Sequence, residues 1–407
     1  MKEKATVWAD YKNNIIIILI LLLGFSPFLW QQYLTYFLCL IIPFVFTRGF
    51  FKFGENSLLV LMFGLSYGFT YKMNCDIENY EFIASTLFPI SVYQGGMYIY
   101  KRFQILSSAV LLLVLISITI GLWAIGMCIG DYLETGNIVN VTRSIGIDED
   151  VWEKDAEAQG ITATGMGVLV SLLFGTVGIV MVQAETKMDK LIRLLVGIGA
   201  IFALYVTVHL LNRTGLVVAF VSFMIGFFRP PVSSKKIGLA LILLLLLCGL
   251  LAAVFYSSEL VQKAIEGYSE RNDVVGYGVG SMGGRTDRWA AAIEQIASTP
   301  FGSAVLDFPG AAAYAHNMWL DCAIVGGWFP AVILLVMTFR FIGNLITVMK
   351  MKTISNFNRS YLLLFSFAVL IQSAVEPILQ SNIVYFCSFI LLWAIVDGLA
   401  HSTPKSE

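Results

Sequence analysis

Long apolar runs separated by short polar segments dominate the pattern along this chain. A helix needs about 20 predominantly apolar residues to cross the hydrocarbon core of a bilayer. Runs of that length favour buried helices over strands, which are usually shorter. The pattern therefore predicts an all-α polytopic membrane protein with about twelve transmembrane helices. The predicted spans are 14–30, 33–47, 56–71, 82–100, 105–129, 163–183, 190–211, 214–228, 237–257, 317–345, 360–375 and 378–399.

The composition supports the membrane prediction and excludes several other classes of protein. Hydrophobic residues make up 58% of the 407 positions and charged residues 13%, whereas a soluble domain is about half apolar and a quarter charged. The six cysteines form no C-x-x-C pair, so no metal knuckle or redox motif is indicated. The net charge of −1 gives no sign of nucleic-acid binding. We therefore expect one integral membrane domain over residues 1–407.

The distribution of basic residues predicts the orientation in the membrane. Twelve spans place both termini on the same side. Most of the 26 lysine and arginine residues fall in short segments on that side. Short loops rich in lysine and arginine stay in the cytoplasm. Both termini are therefore predicted to be cytoplasmic.

Two long polar loops face the opposite side of the membrane in this topology. They cover residues 130–162 and 258–315, and such loops in a compact bundle are usually functional. The second contains "GGRTDRWAAAIEQIASTPFG", which predicts an amphipathic helix over 286–299, capped by Thr286 and ended by Pro300.

The apolar face of this predicted helix consists of Trp289, Ile293 and Ile296, which recur at helical spacing. It lies either on the membrane surface or on the helix bundle, and the sequence leaves both possibilities open.

Arg285 and Arg288 stand three residues apart at the start of that helix. Free backbone N–H groups at a helix start already favour an anion, so the pair predicts a phosphate-binding site. The alternative is a solvated helix end that pairs with Asp287 or Glu294.

A third arginine, Arg213, lies in the short outward turn "HLLNRTGLVV". The planar guanidinium suits bidentate contact with phosphate oxygens. The alternative is that the long side chain reaches lipid headgroups.

His316 is one of only three histidines and opens the run "HNMWLDCAIVGG". An imidazole titrates near neutral pH, so His316 is our candidate proton acceptor. Asn317 is expected to cap the next helix or to orient the ring, and Asp321 lies one turn further on the same face. The alternative is an interfacial histidine bonded to a backbone carbonyl. His209, by contrast, is predicted to be a buried histidine of the helix bundle with its hydrogen bonds satisfied.

The first outward loop contains an acidic run with the string Asp148-Glu149-Asp150. Carboxylate oxygens suit Mg²⁺ or Mn²⁺. The D-x-D string is very common, however, and its neighbours are typical of a solvated loop. We therefore predict no bound metal and no other cofactor.

Taken together in order, these motifs resemble the O-antigen ligase and O-antigen polymerase superfamily. An arginine in a short turn is followed by "GGRTDRW" and "TPFG" in a large outward loop, and then by "HN", "WLD" and "GG" in the next span. The motifs cover about residues 190–329, and the topology covers the whole chain.

The resemblance implies a metal-independent, inverting glycosyltransferase that lies in the bacterial inner membrane and acts on the periplasmic face. The donor is a glycan on undecaprenyl pyrophosphate. The acceptor is a lipid-linked glycan or the lipid A core, and a chain-length regulator is a further candidate partner. Arg213 and Arg285 match the arginines that hold the pyrophosphate, and His316 matches the histidine that serves the acceptor hydroxyl. Arg288, Asn317 and Asp321 are additional substrate-binding candidates.

Four functions remain open from the sequence. The first is an O-antigen polymerase in lipopolysaccharide biosynthesis, which the neighbourhood "HNMWLD" favours. The second is the ligase that moves the finished glycan to lipid A core. The others are a lipid-linked sugar flippase or other transporter, since twelve spans also suit a transporter, and a scaffold that only binds.

Overall fold

The structure is a computed structural model that describes part of the chain. The described segments are residues 54–103, 106–137, 161–210, 212–229, 285–307, 314–381 and 383–401, together with residues 22, 25, 140, 144, 145 and 238. The elements are α1 (Glu55–Cys75), α2 (Asn79–Phe103), α3 (Leu106–Thr135), β1 (Ser144–Ile145), β2 (Ile161–Thr162), α4 (Ala163–Phe174), a 3₁₀ turn (Val177–Met181), α5 (Lys187–His209), α6 (Arg213–Phe228), α7 (Arg285–Ser298), α8 (Met318–Gly326), α9 (Trp328–Lys350), α10 (Asn356–Val375), α11 (Ile378–Ser381) and α12 (Ile383–Ala400).

Six helical segments within the described residues are long and apolar enough to cross a membrane. They are Ala109–Thr135, Thr164–Met181, Lys187–His209, Trp328–Lys350, Asn356–Val375 and Ile383–Ala400. The predicted spans 56–71, 82–100 and 214–228 are helical but are not among these six. The spans 14–30, 33–47 and 237–257 lie outside the described residues. The prediction of a helical membrane protein is therefore confirmed at this coarser level, and the number twelve stays a prediction.

The chain divides into two compact units. The first contains residues 1–119 and 285–407, and the second contains residues 120–284. Because this division concerns packing and not independent folding, the expectation of one membrane domain over 1–407 stays a prediction.

One predicted span is interrupted, so the expectation of a single helix over 317–345 is wrong. Helix α8 ends at Gly326 and α9 begins at Trp328. Gly327 between them has a φ of 77°, and a Cβ atom there would approach the Pro300 carbonyl oxygen to 2.5 Å. Only glycine combines that conformation with so close an approach.

Helix α12 is the centre of the first unit. Its large rings, among them Tyr385, Phe386 and Trp393, are fully buried. Trp393 meets Tyr93 of α2 edge to face, with ring centroids 5.4 Å apart. Such contacts matter in a membrane protein because helix association in lipid depends on close packing.

Helices α1 and α2 approach each other through small residues. Gly64 and Gly68 stand four residues apart on α1, and Thr86 of α2 faces both. A Cβ atom on Gly64 would come within 2.3 Å of the Thr86 carbonyl oxygen. This spacing of small residues lets the backbones of membrane helices pack closely.

A buried carboxylate near the end of α12 connects four helices of the first unit through hydrogen bonds. Asp397 accepts hydrogen bonds from Tyr93 of α2 at 2.6 Å, Asn56 of α1 at 2.7 Å and Asn344 of α9 at 2.8 Å. A buried carboxylate is stable when several donors satisfy its oxygens.

In the second unit, one side chain forms hydrogen bonds with the backbone at a break between two helical segments. Helix α4 ends at Phe174, and the 3₁₀ turn follows. Ser222 of α6 donates to the Gly175 carbonyl at 2.7 Å and accepts from the Gly178 N–H at 3.0 Å. One hydroxyl thus satisfies backbone groups that the interrupted helix leaves unpaired.

Local capping explains where several helices begin. Thr186 and Asp189 form a reciprocal capping box at the start of α5, and Ser355 accepts the Asn358 N–H at the start of α10. These contacts satisfy N–H groups that a first helical turn otherwise leaves open.

Candidate active site

Helix α7 carries the candidate phosphate-binding arginine. It runs from Arg285 to Ser298, so the predicted range 286–299 is shifted by one residue at each end. Thr286 is the second residue of the helix and does not cap it. The prediction of this cap is wrong, because the helix already includes Arg285.

A tryptophan fixes α7 to the segment that carries the candidate proton acceptor. The indole N–H of Trp289 donates to the Ala315 carbonyl at 3.0 Å. Ala315 immediately precedes His316. The first turns of α7 are therefore held beside His316, although about thirty residues of sequence separate Arg285 from it.

His316 has an unusual backbone conformation. Its φ is +56°, and among the described non-glycine residues only Asp76 shares a positive φ. This conformation costs a non-glycine residue about 1–3 kcal/mol. The surrounding structure compensates, because the Asp321 carboxylate accepts the Ala315 N–H at 2.6 Å and the Asn317 N–H at 2.8 Å. One carboxylate thus holds the backbone on both sides of His316.

Asn317 is the N-cap of α8. Its side-chain oxygen accepts the N–H groups of Trp319 and Leu320 at 3.1 and 3.2 Å, so the predicted cap is confirmed. The side-chain amide also donates to the Ala374 carbonyl of α10 at 3.1 Å. These bonds join the His316 segment to the end of α10, and a substrate-binding role for Asn317 stays a prediction.

Asp321 lies in α8, outside the six spanning helices, and is 1% exposed. Burial raises the pKa of its carboxyl to about 6, and the backbone N–H bonds from Asn317 and Ala315 oppose that increase. Both carboxylate oxygens already accept backbone N–H groups. Asp321 therefore positions His316 in this structure, and its predicted contact with substrate stays a prediction.

Glu376 brings Arg285 and His316 together. It follows the last residue of α10, and its Oε1 lies 3.1 Å from the Arg285 Nη2. Its Oε2 lies 3.4 Å from the His316 Nδ1. The side chain of Glu376 is 5% exposed, and those of Arg285 and His316 are each 23% exposed. We call these three residues the Glu376 cluster.

The contact with Glu376 also bears on the tautomer of the imidazole. An ionised carboxylate only accepts hydrogen bonds, so the contact favours a proton on the His316 Nδ1. In a neutral ring with that tautomer the Nε2 keeps a lone pair. The contact is therefore compatible with the predicted role of His316 as a base, and that role stays a prediction.

Arg285 pairs with Glu376 and not with Asp287 or Glu294, the partners expected for a solvated helix end. Its Nε is buried and has no hydrogen-bond partner among the described residues. Buried donors are normally satisfied, so this unpaired donor is unusual, and anion binding by Arg285 stays a prediction.

Sequence reasoning missed Glu376. The residue falls in the two-residue turn between the predicted spans 360–375 and 378–399, where an acidic side chain is easily interpreted as solvated. The available signal was the sequence "SAVEPIL", in which one carboxylate interrupts an apolar hairpin before a proline.

The other two candidate arginines lie near the first residues of helices. Arg288 is half-buried on α7, one turn after Arg285. Arg213 is the first residue of α6, and the preceding Asn212 caps that helix by accepting the Gly215 N–H at 3.1 Å. Arg213 belongs to the second unit, whereas the Glu376 cluster belongs to the first. The predicted shared role of Arg213 and Arg285 in holding the pyrophosphate therefore stays a prediction.

His209 is buried, as the sequence indicated. Its Nε2 lies 2.8 Å from the Asp131 Oδ2, and the ring is 1% exposed. The Asn140 side chain donates to both oxygens of Asp131 at 3.0 and 3.1 Å. Among the described residues there is no group of three or more His, Cys, Asp or Glu side chains suited to hold a metal. The Asp148–Asp150 string lies outside them.

A scan of the sequence against protein-family models and a search of curated proteins gave no match. The fold itself defines the class: this is a helical membrane protein.

Proposed function

We propose that the protein is a membrane glycosyltransferase of the O-antigen polymerase type, with a glycan on undecaprenyl pyrophosphate as its donor. The observation that carries this proposal is the Glu376 cluster, in which an arginine and a histidine from distant segments contact one buried carboxylate. A cation for a leaving pyrophosphate and a base for an acceptor hydroxyl are the two groups that such a reaction needs.

In the proposed reaction the acceptor hydroxyl loses its proton to the His316 Nε2. The hydroxyl oxygen forms a bond to the anomeric carbon of the donor sugar. The bond between that carbon and the pyrophosphate oxygen breaks, and its electron pair leaves with the pyrophosphate. Attack from the face opposite the leaving group inverts the configuration at the anomeric carbon.

The role proposed for Arg285 is to stabilise the charge that develops on the departing pyrophosphate, together with Arg213. The start of α7 adds the backbone N–H groups of a first helical turn, which also favour an anion. No metal ion is required, because the two guanidinium groups supply the positive charge. The donor brings its own leaving group, which suits a periplasmic face that has no nucleotide sugars.

The first experiment expresses single variants in a strain that lacks the native gene and analyses the glycan products. We expect His316→Ala and Arg285→Ala each to lower product formation by about 10²–10³-fold. Asp287→Ala is the matched control, because Asp287 is exposed on the same first turn of α7. Immunoblots of membranes check that every variant is present in equal amount.

The glycan pattern of the deletion strain separates the candidate acceptors. Single repeats on lipid A core identify a polymerase, whereas polymer that remains on undecaprenyl pyrophosphate identifies a ligase. Transfer by purified protein in detergent, where no gradient exists, contradicts a transporter. Near-normal product from His316→Ala contradicts the proposed base and favours a binding scaffold.

Two further measurements test the charge stabilisation. Arg213→Ala should also lower product formation. Arg213→Lys should restore little of the lost activity, because lysine cannot reproduce a bidentate contact. A chelator should leave transfer unchanged, and strong inhibition would instead support metal binding by the Asp148–Asp150 string.

A further inference from the structure

The exposed half of α7 has two chemically different edges. Successive residues of an α-helix are rotated by about 100°, which divides the exposed positions of α7 into an apolar and a polar group. The apolar edge consists of Ala290, Ile293 and Ala297, and the exposed Thr286 lies on the same edge at the start of the helix. The polar edge consists of Asp287, Glu294 and Ser298. Ile293 is 62% exposed although it is a large aliphatic residue.

The apolar edge continues past the end of the helix. Phe301 is 84% exposed and Val305 is 51% exposed. The Pro300 carbonyl, one residue before Phe301, accepts the backbone N–H of Trp328 at 2.9 Å. The Ile296 carbonyl accepts the indole N–H of Trp328 at 2.7 Å. The end of α7 is therefore bonded directly to the first residue of α9.

Helix α9 presents a face that suits lipid. It is one of the segments able to cross a membrane. The large hydrophobic residues exposed along it are Trp328, Phe329, Val332, Leu335, Val336, Phe339 and Ile346. In a spanning helix such a face meets acyl chains, and tryptophan at its end marks the membrane interface. The apolar edge of α7 is joined to this face at Trp328.

We propose that α7 lies in the membrane interface, with Ala290, Ile293, Ala297 and Phe301 in contact with lipid. An amphipathic helix of this kind buries its apolar face about 5–10 Å into the boundary between headgroups and acyl chains. The polar edge, with Asp287 and Glu294, then faces the water, away from anionic headgroups.

This position has a consequence for the site. Arg285 lies on the third, inward side of α7, so lipid contact along the helix holds its guanidinium at headgroup depth. That is the depth of a lipid pyrophosphate. This consequence rests on the proposed function, whereas the position of α7 in the interface does not.

The test places a fluorescent probe on each edge of the helix. Ile293→Cys, Phe301→Cys and the control Glu294→Cys are labelled with a nitrobenzoxadiazole thiol reagent. The full-length proteins are reconstituted into phosphatidylethanolamine–phosphatidylglycerol vesicles. The six native cysteines give a background that is measured on the labelled parent protein and subtracted. Quenchers are iodide in the water and nitroxide lipids labelled near the headgroup or at mid-bilayer.

We expect the probes at positions 293 and 301 to emit at shorter wavelength and to lose most fluorescence to the shallow nitroxide lipid. The probe at position 294 should respond mainly to iodide. Equal iodide quenching at all three positions would overturn the proposal. Protection of positions 293 and 301 from both quenchers would also overturn it, because that result indicates a protein partner or a second copy.

The same measurement in the His316→Ala background keeps this proposal separate from the proposed function. We expect unchanged quenching there, because the lipid contact does not depend on transfer. Correct quenching combined with full transfer activity of His316→Ala would contradict only the proposed function.

Discussion

Two histidine–carboxylate pairs among the described residues, one in each unit, are built very differently. His209 ends helix α5, is 1% exposed, and lies 2.8 Å from Asp131. His316 precedes a helix, has a positive φ, is 23% exposed, and lies 3.4 Å from Glu376. Both rings meet a carboxylate, but only the second remains accessible.

The partners of the two carboxylates differ as well. Asp131 accepts from Asn140, a neutral amide, so this network resembles an ordinary buried hydrogen-bond cluster. Glu376 instead meets the guanidinium of Arg285, whose Nε is buried without a partner among the described residues. Backbone strain and partial exposure often occur at functional sites. The second pair is therefore the better candidate for chemistry, and that role stays a prediction.

Among changes to the two carboxylates, the largest effect is expected from Glu376→Gln, which removes the charge but keeps the shape. We expect the kcat for transfer to fall by about 10²-fold with KM nearly unchanged, because the imidazole and guanidinium lose their common anchor. The measurement is steady-state transfer by purified protein with a lipid-linked donor. A merely structural role would lower the amount of folded protein and leave kcat per folded molecule intact.

The matching change in the second unit, Asp131→Asn, should affect stability and not transfer. We expect it to lower the free energy of unfolding by about 1–3 kcal/mol, because a hydrogen bond to a charged, buried group is lost. Thermal unfolding in detergent provides the measurement. Glu134→Gln is the control, since Glu134 is exposed on the same helix. A transfer defect per folded molecule in Asp131→Asn would remove the distinction between the two pairs.

The smallest effect concerns the backbone of His316. Both His316→Gly and His316→Ala remove the ring, but glycine tolerates the positive φ. We expect the glycine variant to be more stable than the alanine variant by about 1 kcal/mol. Ser298, in the last turn of α7, is the control position. There we expect the opposite order, with Ser298→Gly less stable than Ser298→Ala, because glycine disfavours a helix. Equal melting temperatures for the two His316 variants would show that the conformation stores no strain.

Much of the fold could be predicted because apolar runs report directly on helices. The predicted spans 190–211 and 360–375 correspond to α5 and α10 within a few residues. The interruption at Gly327 was missed because the apolar run continues across it without a polar residue. Gly326, Gly327 and Pro330 were the available signal, since glycine ends helices and proline suits a first helical turn.

The site could be predicted only in part. The chemistry of Arg285 and His316 was visible in the sequence because both are polar groups at the edges of apolar runs. Glu376 lies sixty residues after His316, and no local pattern specifies which carboxylate meets which cation across the fold. The sequence spacing correctly placed Asp321 beside Asn317. The hydrogen bonds that Asp321 accepts from the backbone on both sides of His316 depend on a turn geometry that sequence spacing does not encode.

The interruption at Gly327 also determines how far the His316 segment reaches. A straight helix over residues 318–350 would be about 50 Å long, whereas the hydrocarbon core is about 30 Å thick. Helix α9 alone measures about 35 Å, so it already spans that thickness. By turning at Gly327 and packing α8 against α1 and α9, the chain keeps the histidine roughly 15 Å closer to the end of α9 than a straight helix would.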